Sequence, residues 1–375
     1  MSTYVDIHII QNLPPSCVNR DDSGSPKSAV YGGVRRLRVS SQSWKRATRL
    51  YFNELLDAED VGVRTKRVVE VLASKIAREA PELTDDATTL AEGVFKAAKI
   101  KLSPPRGKKD GAQESGYLLF LSTSQIARLA ELAIASARDG EALDAKTVKK
   151  IFKEAHAVDI ALFGRMVADD TDLNVDAACQ VAHAISTHAA ENEYDFFTAV
   201  DDEKNRSEEE DAGAGMMGTV EFSSATMYRY ATVNLDMLVD NLGDGDAALQ
   251  ALEVFIKGFC LSMPTGKQNT FANRTLPETV VVSVRDDQPV SLVGAFEEPV
   301  PEASGHGYVD RSVGELAQYA ETIGKNYGLA PLNSLVVALK DSDAVSSLGE
   351  RVSFTDLPER VRQIVAPRVS REERS

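Results

Sequence analysis

The stretch Pro15–Phe52, PSCVNRDDSGSPKSAVYGGVRRLRVSSQSWKRATRLYF, predicts a strand that is entered through a tight turn and followed by a helix. The Gly-Gly pair at 32–33 indicates the turn. In the VRRLRV segment after it, Arg36 and Arg38 alternate with apolar residues, which is typical of a strand with two different faces. Serines at 40, 41 and 43 then offer an N-cap for a helix that begins near Gln42.

The predicted helix has an apolar side and a polar side. The residues predicted to face the core are Trp44, Ala47, Tyr51 and Leu55. Gln42, Lys45 and Arg49 recur at i, i+3 and i+7 on another side of the same helix. The helix is therefore expected to pack through one side and to leave two cations on another.

The positive charge of this region contrasts with the rest of the chain. The 375 residues carry a net charge of −15, but residues 1–50 hold eight Lys or Arg and three Asp. That segment is therefore +5 and the remainder about −20. Glycines, capping serines and arginines in one stretch suit the backbone of a phosphate chain. A solvated edge strand followed by an ordinary charged helix accounts for the same residues equally well.

The pattern along the whole chain predicts an α+β fold. The opening segment TYVDIHIIQNL alternates Val5, Ile7 and Ile9 with Tyr4, Asp6 and His8, which predicts a strand with one buried face. Residues 60–160 are expected to be mostly helical, interrupted by an exposed loop, KLSPPRGKKDGAQESG. Alternation returns in GTVEFSSATMYRYATVNLDML and ETVVVSVRD. Strands at both ends and helices between them indicate one α+β domain split by a helical insertion.

Several classes of protein are disfavoured. Cys17, Cys179 and Cys260 are far apart, which supports neither a disulfide framework nor a cysteine zinc site. The five histidines are scattered, and no H-E-x-x-H or Walker pattern occurs. No metal or organic cofactor is expected. Because no apolar run approaches the ~18 residues of a membrane helix and no leader pattern opens the chain, a cytoplasmic protein without membrane contact is expected.

Three short segments suggest further contacts. DAKTVKKIFKEA places Lys146, Lys149 or Lys150, and Lys153 on one helical stripe; it suits a polyanion, although a solvated face is the stronger alternative. In FGRMVADD, Met166 suits a wedge between bases, but such a residue more often belongs to a core. YDFFTAVDD places two phenylalanines at 196–197 in a polar stretch, where they either stack on bases or pin a loop.

Six segments, taken in order, resemble the CasC family, the backbone subunits of type I-E CRISPR Cascade. They are PSCVNRDD, YGGVRRLRVSSQSWKRA, VDIALFGRM, AHAISTHAAENEYDFFTAVDD, GTVEFSSATMYRYATVNLDML and PTGKQNTFANR. The resemblance implies a modified RRM-like (ferredoxin-like) palm formed by residues 1–58 and 218–375. It also implies a mostly helical fingers region over 59–189, returning to the palm at about 175–189, and a thumb loop over 190–217.

The family implies a non-catalytic subunit that binds CRISPR RNA in antiviral defence. Copies of the chain would polymerise along the guide, each thumb folding over the RNA held by its neighbour and displacing one base at regular intervals. The guide could then pair with target DNA, so that base pairing reads sequence while protein holds the backbone. The expected partners are CRISPR RNA, neighbouring copies, other Cascade subunits and target DNA.

The resemblance also implies roles for individual residues. The expected RNA-binding residues are Arg20, Lys27, Ser40, Gln42, Lys45 and Arg49 in the palm, Met166 at the kink, Phe197, Thr198 and Val200 in the thumb, and Lys267 and Gln268 in PTGKQNTFANR. The lysine stripe Lys146, Lys149, Lys150 and Lys153 corresponds to a finger helix that would steer target DNA. This chain departs from the family in its long acidic thumb segment, EKNRSEEEDAGAGMMG.

Two other classes of function remain compatible with the residues. Asp21 and Asp22 are adjacent carboxylates that could bind Mg²⁺, as in a metal-dependent endoribonuclease like the backbone subunits of type III effectors. A helical scaffold that is indifferent to nucleic acid is the third class, and it predicts no co-purifying RNA.

Overall fold

The computed structural model describes residues 2–58, 60–105, 111–199 and 216–369. They form two compact units. The described residues of the first unit fall within Met1–Thr48, Val181–Thr232 and Ile256–Val365, and those of the second within Arg49–Gln180, Val233–Phe255 and Ala366–Ser375. Residues 49–58 and 233–255, which the family resemblance places in the palm, fall in the second unit.

The described residues form fourteen strands and twelve α-helices. The strands are β1 Tyr4–Ser16, β2 Ser28–Tyr31, β3 Val34–Val39, β4 Gly62–Thr65, β5 Leu102–Ser103, β6 Glu114–Ser115, β7 Leu119–Ser122, β8 Cys179–Val181, β9 Ala184–Ser186, β10 Glu193–Ala199, β11 Met216–Asn234, β12 Thr279–Arg285, β13 Asn333–Ala338 and β14 Glu350–Arg351. The helices are α1 Ser41–Leu55, α2 Val68–Glu79, α3 Ala87–Ala97, α4 Thr123–Asp139, α5 Ala145–Lys153, α6 Val158–Phe163, α7 Leu235–Leu242, α8 Gly245–Leu261, α9 Gln268–Phe271, α10 Val309–Tyr327, α11 Asp343–Leu348 and α12 Leu357–Val369.

The first unit is built on a mixed sheet. Its strand order is β14-β13-β12-β1-β11-β9-β3-β2, and β10 pairs with β11 outside this path. β1 and β12 are antiparallel, from Tyr4 opposite Arg285 to Ile10 opposite Thr279, whereas β13 and β14 are parallel. Helix α10 contributes Val313 and Leu316 to the core against this sheet. The α+β prediction is confirmed in that the chain combines helices with a mixed sheet.

Strand β1 is buried on both faces, so the prediction of a single buried face is wrong. Its polar face lies inside the unit because β11 and β12 flank the strand and supply polar partners. Asp6 accepts hydrogen bonds from Arg285 Nε at 2.9 Å and from the Tyr230 hydroxyl at 2.9 Å. His8 Nδ1 lies 2.9 Å from the Tyr228 hydroxyl. Buried polar groups are tolerated where such partners exist.

Helix α1 begins where the serines predicted it, but its apolar stripe differs from the prediction. Trp44 and Phe52 are fully buried, whereas Tyr51 is half-buried and Leu55 is 37% exposed. Phe52 follows Trp44 by eight residues and therefore lies on the same helical row, two turns further along. Leu55 is the last residue of the helix. The buried row is therefore the one that runs from Trp44 to Phe52 in steps of four residues, rather than the one through Tyr51 and Leu55.

The second unit packs α2, α3, α4 and α5 around one apolar core. Two small antiparallel sheets, β4 with β7 and β5 with β6, interrupt the stretch that was expected to be mostly helical. Within the stretch that was expected to be mostly helical, the chain also breaks between α5 and α6, where Ala155 adopts φ 51°. There Gln125 donates to the carbonyls of Phe152 and Glu154, and Ser122 donates to that of Ala155. The carbonyls released at the break are thereby satisfied. Within the described residues, no helix is long and apolar enough to cross a membrane.

Candidate functional site

Asn19 joins three cation-bearing segments of the first unit. Its carbonyl accepts from the Lys27 amide at 2.9 Å, and its side-chain oxygen accepts from the Ser40 amide at 2.8 Å. The loop that carries Arg20 and the start of α1 are thereby held beside Lys27. Asn19 was not predicted as a site residue, although asparagine commonly bonds neighbouring backbone in loops.

The loop after Asn19 presents Arg20 to solvent and uses Asp21 internally. Asp21 Oδ1 accepts from the Ser23 amide at 3.0 Å, the Ser23 hydroxyl at 2.7 Å and the Ser25 amide at 3.0 Å. These hydrogen bonds, that of Ser23 first, lower the pKa of Asp21. The loop and Gly266 line an open depression of about 500 Å³. Asp21 therefore orders the loop that carries Arg20.

A second loop of the same unit brings Lys267 to this region. A Cβ at Gly266 would lie 2.4 Å from the Val18 carbonyl oxygen, so only glycine allows the two backbones to approach. Lys267 itself has φ 48°, a strained conformation of the kind that clusters at functional sites. Burial raises the pKa of the Cys17 thiol, and the charges of Lys267 and Arg20 oppose that rise. Both cations therefore lie near one thiol, although 247 positions separate them in the sequence.

The start of α1 completes the cluster. Ser40 is buried, and its hydroxyl accepts from the Ser43 amide at 3.3 Å, so this residue caps the helix. Gln42 is exposed and Lys45 is half-buried one turn further on, while Gln268 is exposed beside Lys267. Ser40 thus positions the exposed residues, and its own hydroxyl is already engaged.

Arg49 lies at the point where α1 enters the second unit. Its Cζ is 5.3 Å from the centre of the Phe120 ring. Burial raises the pKa of Asp159 to about 6, and the charge of Arg49 opposes that rise. Asp159 also accepts from the Gly62 amide at 3.0 Å. Arg49 therefore interacts with a buried carboxylate as well as an aromatic ring.

Arg36 is structural, which corrects the expectation that it shares a phosphate-facing surface with Arg38. Its side chain is fully buried. The guanidinium donates to the carbonyls of Ser186 at 2.9 Å and Phe296 at 2.8 Å. Desolvation lowers the pKa of Arg36 below its ordinary value. Five fixed donors suit Arg to joining several carbonyls inside a core.

Met166 is held outward by its two neighbours in the second unit. Its side chain is 78% exposed, whereas Arg165 and Val167 are buried. Arg165 pairs with Val175 through two backbone hydrogen bonds of 2.9 Å, and the Val167 amide donates to Asn174 at 2.7 Å. The Arg165 guanidinium donates to the carbonyls of Leu173 and Phe152. The alternative that Met166 belongs to a core, which is the more common case, does not hold at this position.

The lysine stripe of α5 is divided by ion pairs. Lys149 pairs with Asp170, and this contact raises the pKa of Lys149. Lys150 lies 3.8 Å from a Glu154 oxygen. Lys146 and Lys153 are exposed. Of the four lysines, Lys149 is therefore the one whose charge is most directly neutralised.

The predicted thumb begins and ends in a β-ladder. β10 pairs antiparallel with β11 from Glu193 opposite Phe222 to Ala199 opposite Met216. On it Phe197 is half-buried opposite Gly218, and Thr198 is exposed opposite Met217. Val200, predicted to contact RNA, lies outside the described residues. The ladder leaves aromatic and apolar side chains exposed, among them Tyr194, Phe196, Met216 and Met217.

The cluster in the first unit has the chemistry of a polyanion site. Arg20, Lys27, Lys45 and Lys267 come from separate segments, and the contacts that hold these segments involve Asn19 and backbone carbonyls. Cations with backbone support are suited to phosphate and sugar rather than to base edges. Among the residues that the structure describes, no three His, Cys, Asp or Glu side chains gather as a metal site would require.

Comparisons with known proteins identify the family of the chain. A chain of a solved CRISPR RNA-guided surveillance complex, in a pre-nicking state, is 37% identical with a TM-score of 0.86, over 96% of this chain and 99% of that one. A chain of another CRISPR RNA-guided surveillance complex is 31% identical with a TM-score of 0.74, over the same shares. A search of curated proteins finds no match. A family model described as CT1975-like protein matches residues 5–360. The chain therefore belongs to the CT1975-like protein family and is homologous to subunits of CRISPR RNA-guided surveillance complexes.

Proposed function

We propose that this chain is a CRISPR RNA-binding backbone subunit of a type I-E Cascade complex. Copies of it polymerise along the guide in the cytoplasm, together with other Cascade subunits. The observation that carries the proposal is the cluster of Arg20, Lys27, Lys45 and Lys267, which separate segments bring into one unit. Asn19 and backbone hydrogen bonds hold the segments that carry these residues, and a set of fixed cations suits a phosphate chain.

We assign the first unit to an RRM-like palm, the helical part of the second unit to the fingers, and the ladder of β10 and β11 to the base of the thumb. The palm grips phosphate and sugar through the cationic cluster, with Gln42 and Gln268 as neutral neighbours. The thumb presents Phe197 and Thr198 to a displaced base. Lys146 and Lys153 are the members of the finger stripe best placed to steer target DNA.

Met166 is the residue proposed to displace bases. A wedge must be apolar, exposed and unable to retract when it meets a stack of bases. The exposure of Met166, together with the burial of Arg165 and Val167 on either side, meets these requirements. Displacement at regular intervals would leave the intervening guide free to pair.

We propose that the subunit is not an enzyme and that a separate nuclease cuts the target. The support for this proposal is that Oδ1 of Asp21 accepts three hydrogen bonds from within its own loop. The rival function is that of a metal-dependent endoribonuclease. Incubating the assembled complex with complementary RNA and Mg²⁺ separates the two: periodic cuts that Asp21→Ala or Asp22→Ala abolishes would establish the rival.

The binding function is tested by charge reversal in the cluster. The double variant Arg20→Glu/Lys267→Glu, expressed with a CRISPR RNA, is expected to retain at least about tenfold less RNA than wild type. The dependence of binding on salt should also weaken, by about 0.7 in log–log slope for each phosphate that the variant no longer neutralises. Quantified RNA in the purified complex and binding titrations at several salt concentrations measure both effects.

Lys325→Glu is the matched control because Lys325 is an exposed lysine of α10, away from the cluster residues in the sequence. It is expected to leave RNA retention unchanged. Equal RNA content in the folded double variant and in wild type would contradict the proposed phosphate grip.

Met166→Ala tests the wedge separately from the grip. Because Met166 is exposed, the stability of the variant should stay within about 0.5 kcal/mol of wild type. Total guide retention should change little, whereas chemical probing of the bound guide should lose the periodic pattern of unstacked bases. An unaltered pattern would remove Met166 from the mechanism.

A further inference from the structure

Lys27, Arg38 and His183 form a surface cluster. Of the three, the family resemblance implies an RNA-binding role for Lys27 alone. Arg38 lies on β3, and its Nη1 is 3.1 Å from Nδ1 of His183, at the surface of the first unit. Its Nε donates to the Ser28 carbonyl at 3.3 Å, and its amide donates to the Lys27 carbonyl at 2.9 Å. Lys27 and Arg38 are half-buried, and His183 is exposed.

The contacts of His183 define its protonation state. Arginine can only donate, so Nδ1 accepts and the ring proton lies on Nε2. The charged groups facing the ring are Arg38, on β3, and Lys27, which precedes β2. The neighbouring β11 makes a backbone contact, in which Ala182 donates to the Tyr230 carbonyl at 2.9 Å. Partial desolvation first, and then these two cations, hold the pKa of His183 below its ordinary value.

His188 is a useful contrast. It is buried, its Nδ1 bonds to the Ala189 carbonyl at 2.7 Å, and its Nε2 accepts from the Thr226 amide at 3.1 Å. Both ring nitrogens thus serve the backbone inside the core, as expected of a structural histidine. His183 instead meets a cation at the surface, where an incoming anion can change the contact.

We propose that Lys27, Arg38 and His183 bind one phosphodiester of single-stranded RNA, and that His183 takes up a proton from solvent as the RNA binds. The inference rests on the proposed function. A phosphate oxygen between Arg38 and His183 replaces the lone pair of Nδ1 as the acceptor for the guanidinium. Nδ1 then gains a proton and donates to the same phosphate. The negative charge of the phosphate favours the protonated ring of His183, which faced only two cations before the RNA bound.

The proposal predicts that acidification tightens RNA binding through His183. A shift of about one pKa unit changes the linked affinity by at most about tenfold. Binding of a fluorescein-labelled oligouridylate to the full chain is compared at about pH 7.5 and about pH 5.5, which bracket the ordinary range of histidine. His183→Gln keeps a carbonyl acceptor for Arg38 but does not titrate. The affinity ratio between the two pH values should be roughly three- to tenfold smaller in this variant than in wild type.

His306→Gln is the control, because His306 is an exposed histidine elsewhere in the chain, and it should keep the wild-type ratio. Equal ratios in wild type and His183→Gln would overturn the inference while leaving the proposed function intact. Absence of RNA binding by wild type at both pH values would overturn both.

Calorimetry on wild type supplies a measurement that needs no variant. RNA binding near pH 6, in buffers of different ionisation enthalpy, should show net proton uptake, and zero uptake would contradict the proposal. Inorganic phosphate is the second ligand. If it produces the same uptake at the same concentration of phosphate groups as the RNA, the site binds free phosphate, and the assignment to an RNA chain is wrong.

Discussion

The N-terminal module, Pro15–Phe52, and helix α5 are both rich in cations, yet the structure treats their charges differently. In the module, Asn19 and backbone carbonyls order the segments that carry Arg20 and Lys27. In α5, carboxylates offset the charge of two lysines: Lys149 pairs with Asp170, and Lys150 approaches Glu154. The hydrogen bonds in the module act on the backbone that carries the cations, whereas the carboxylates near α5 contact the ammonium groups themselves and offset their charge. The partner of each cationic side chain, more than the number of cations, therefore indicates whether a segment suits a polyanion.

The largest effect on stability is expected at Arg36, because this cation of the module is fully buried. Arg36→Met leaves the carbonyls of Ser186 and Phe296 without their donors, so the free energy of unfolding should fall by roughly 3 kcal/mol or more. Denaturant titration measures the loss. Arg35→Met, at an exposed neighbour, should change stability by no more than about 0.5 kcal/mol. Similar effects in the two variants would show that Arg36 is not a structural residue.

The carboxylate of Asp159 faces Arg49, so at this cation the N-terminal module resembles α5. The titration of Asp159 therefore provides the second test. Burial raises the pKa of Asp159 to about 6, so the folded chain holds a proton between about pH 4 and pH 6 that the unfolded chain has released. Stability should therefore fall as pH rises through this window, by up to roughly 2–3 kcal/mol, and Asp159→Asn should remove this component. Denaturant titrations at several pH values measure the slope.

The control for this slope is Asp57→Asn, at an exposed carboxylate after α1, which should keep the wild-type profile. If Asp159→Asn follows the wild-type profile as well, Asp159 is not the titrating group.

The smallest effect is expected for Asp170→Asn, which removes a carboxylate partner from the lysines of α5. The change releases Lys149 from its counter-ion, while the amide oxygen of asparagine can still accept from the Asp172 amide, which lies 3.2 Å from Asp170 Oδ1 in the wild type. Binding of single-stranded DNA by the full chain should rise by roughly two- to threefold, because the charge of one half-buried lysine is no longer offset. The double variant Asp170→Asn/Lys149→Gln should return to the wild-type level. No gain in the single variant would show that the α5 lysines do not meet nucleic acid.

The prediction of elements from sequence succeeded where the signal is local. The serines before α1 predicted its start, since a hydroxyl that caps a helix acts within three residues. The break at Ala155 was missed because its support comes from Gln125 and Ser122, about thirty positions earlier. The polar face of β1 was misread for the same reason: its partners, Tyr230 and Arg285, are more than two hundred positions away.

Residue order and composition were enough to predict a mixed α/β protein with a cationic N-terminal module, and the resemblance to a CRISPR subunit followed from motifs in register. Packing decided which cations are exposed. Arg36 and Arg38 are two positions apart on one strand, but one is buried among carbonyls and the other meets His183 at the surface. The tertiary fold also placed Lys267 near Arg20 and turned Met166 outward between two buried neighbours. These outcomes depend on contacts between residues distant in sequence, and charge or periodicity in a local window carries no information about them.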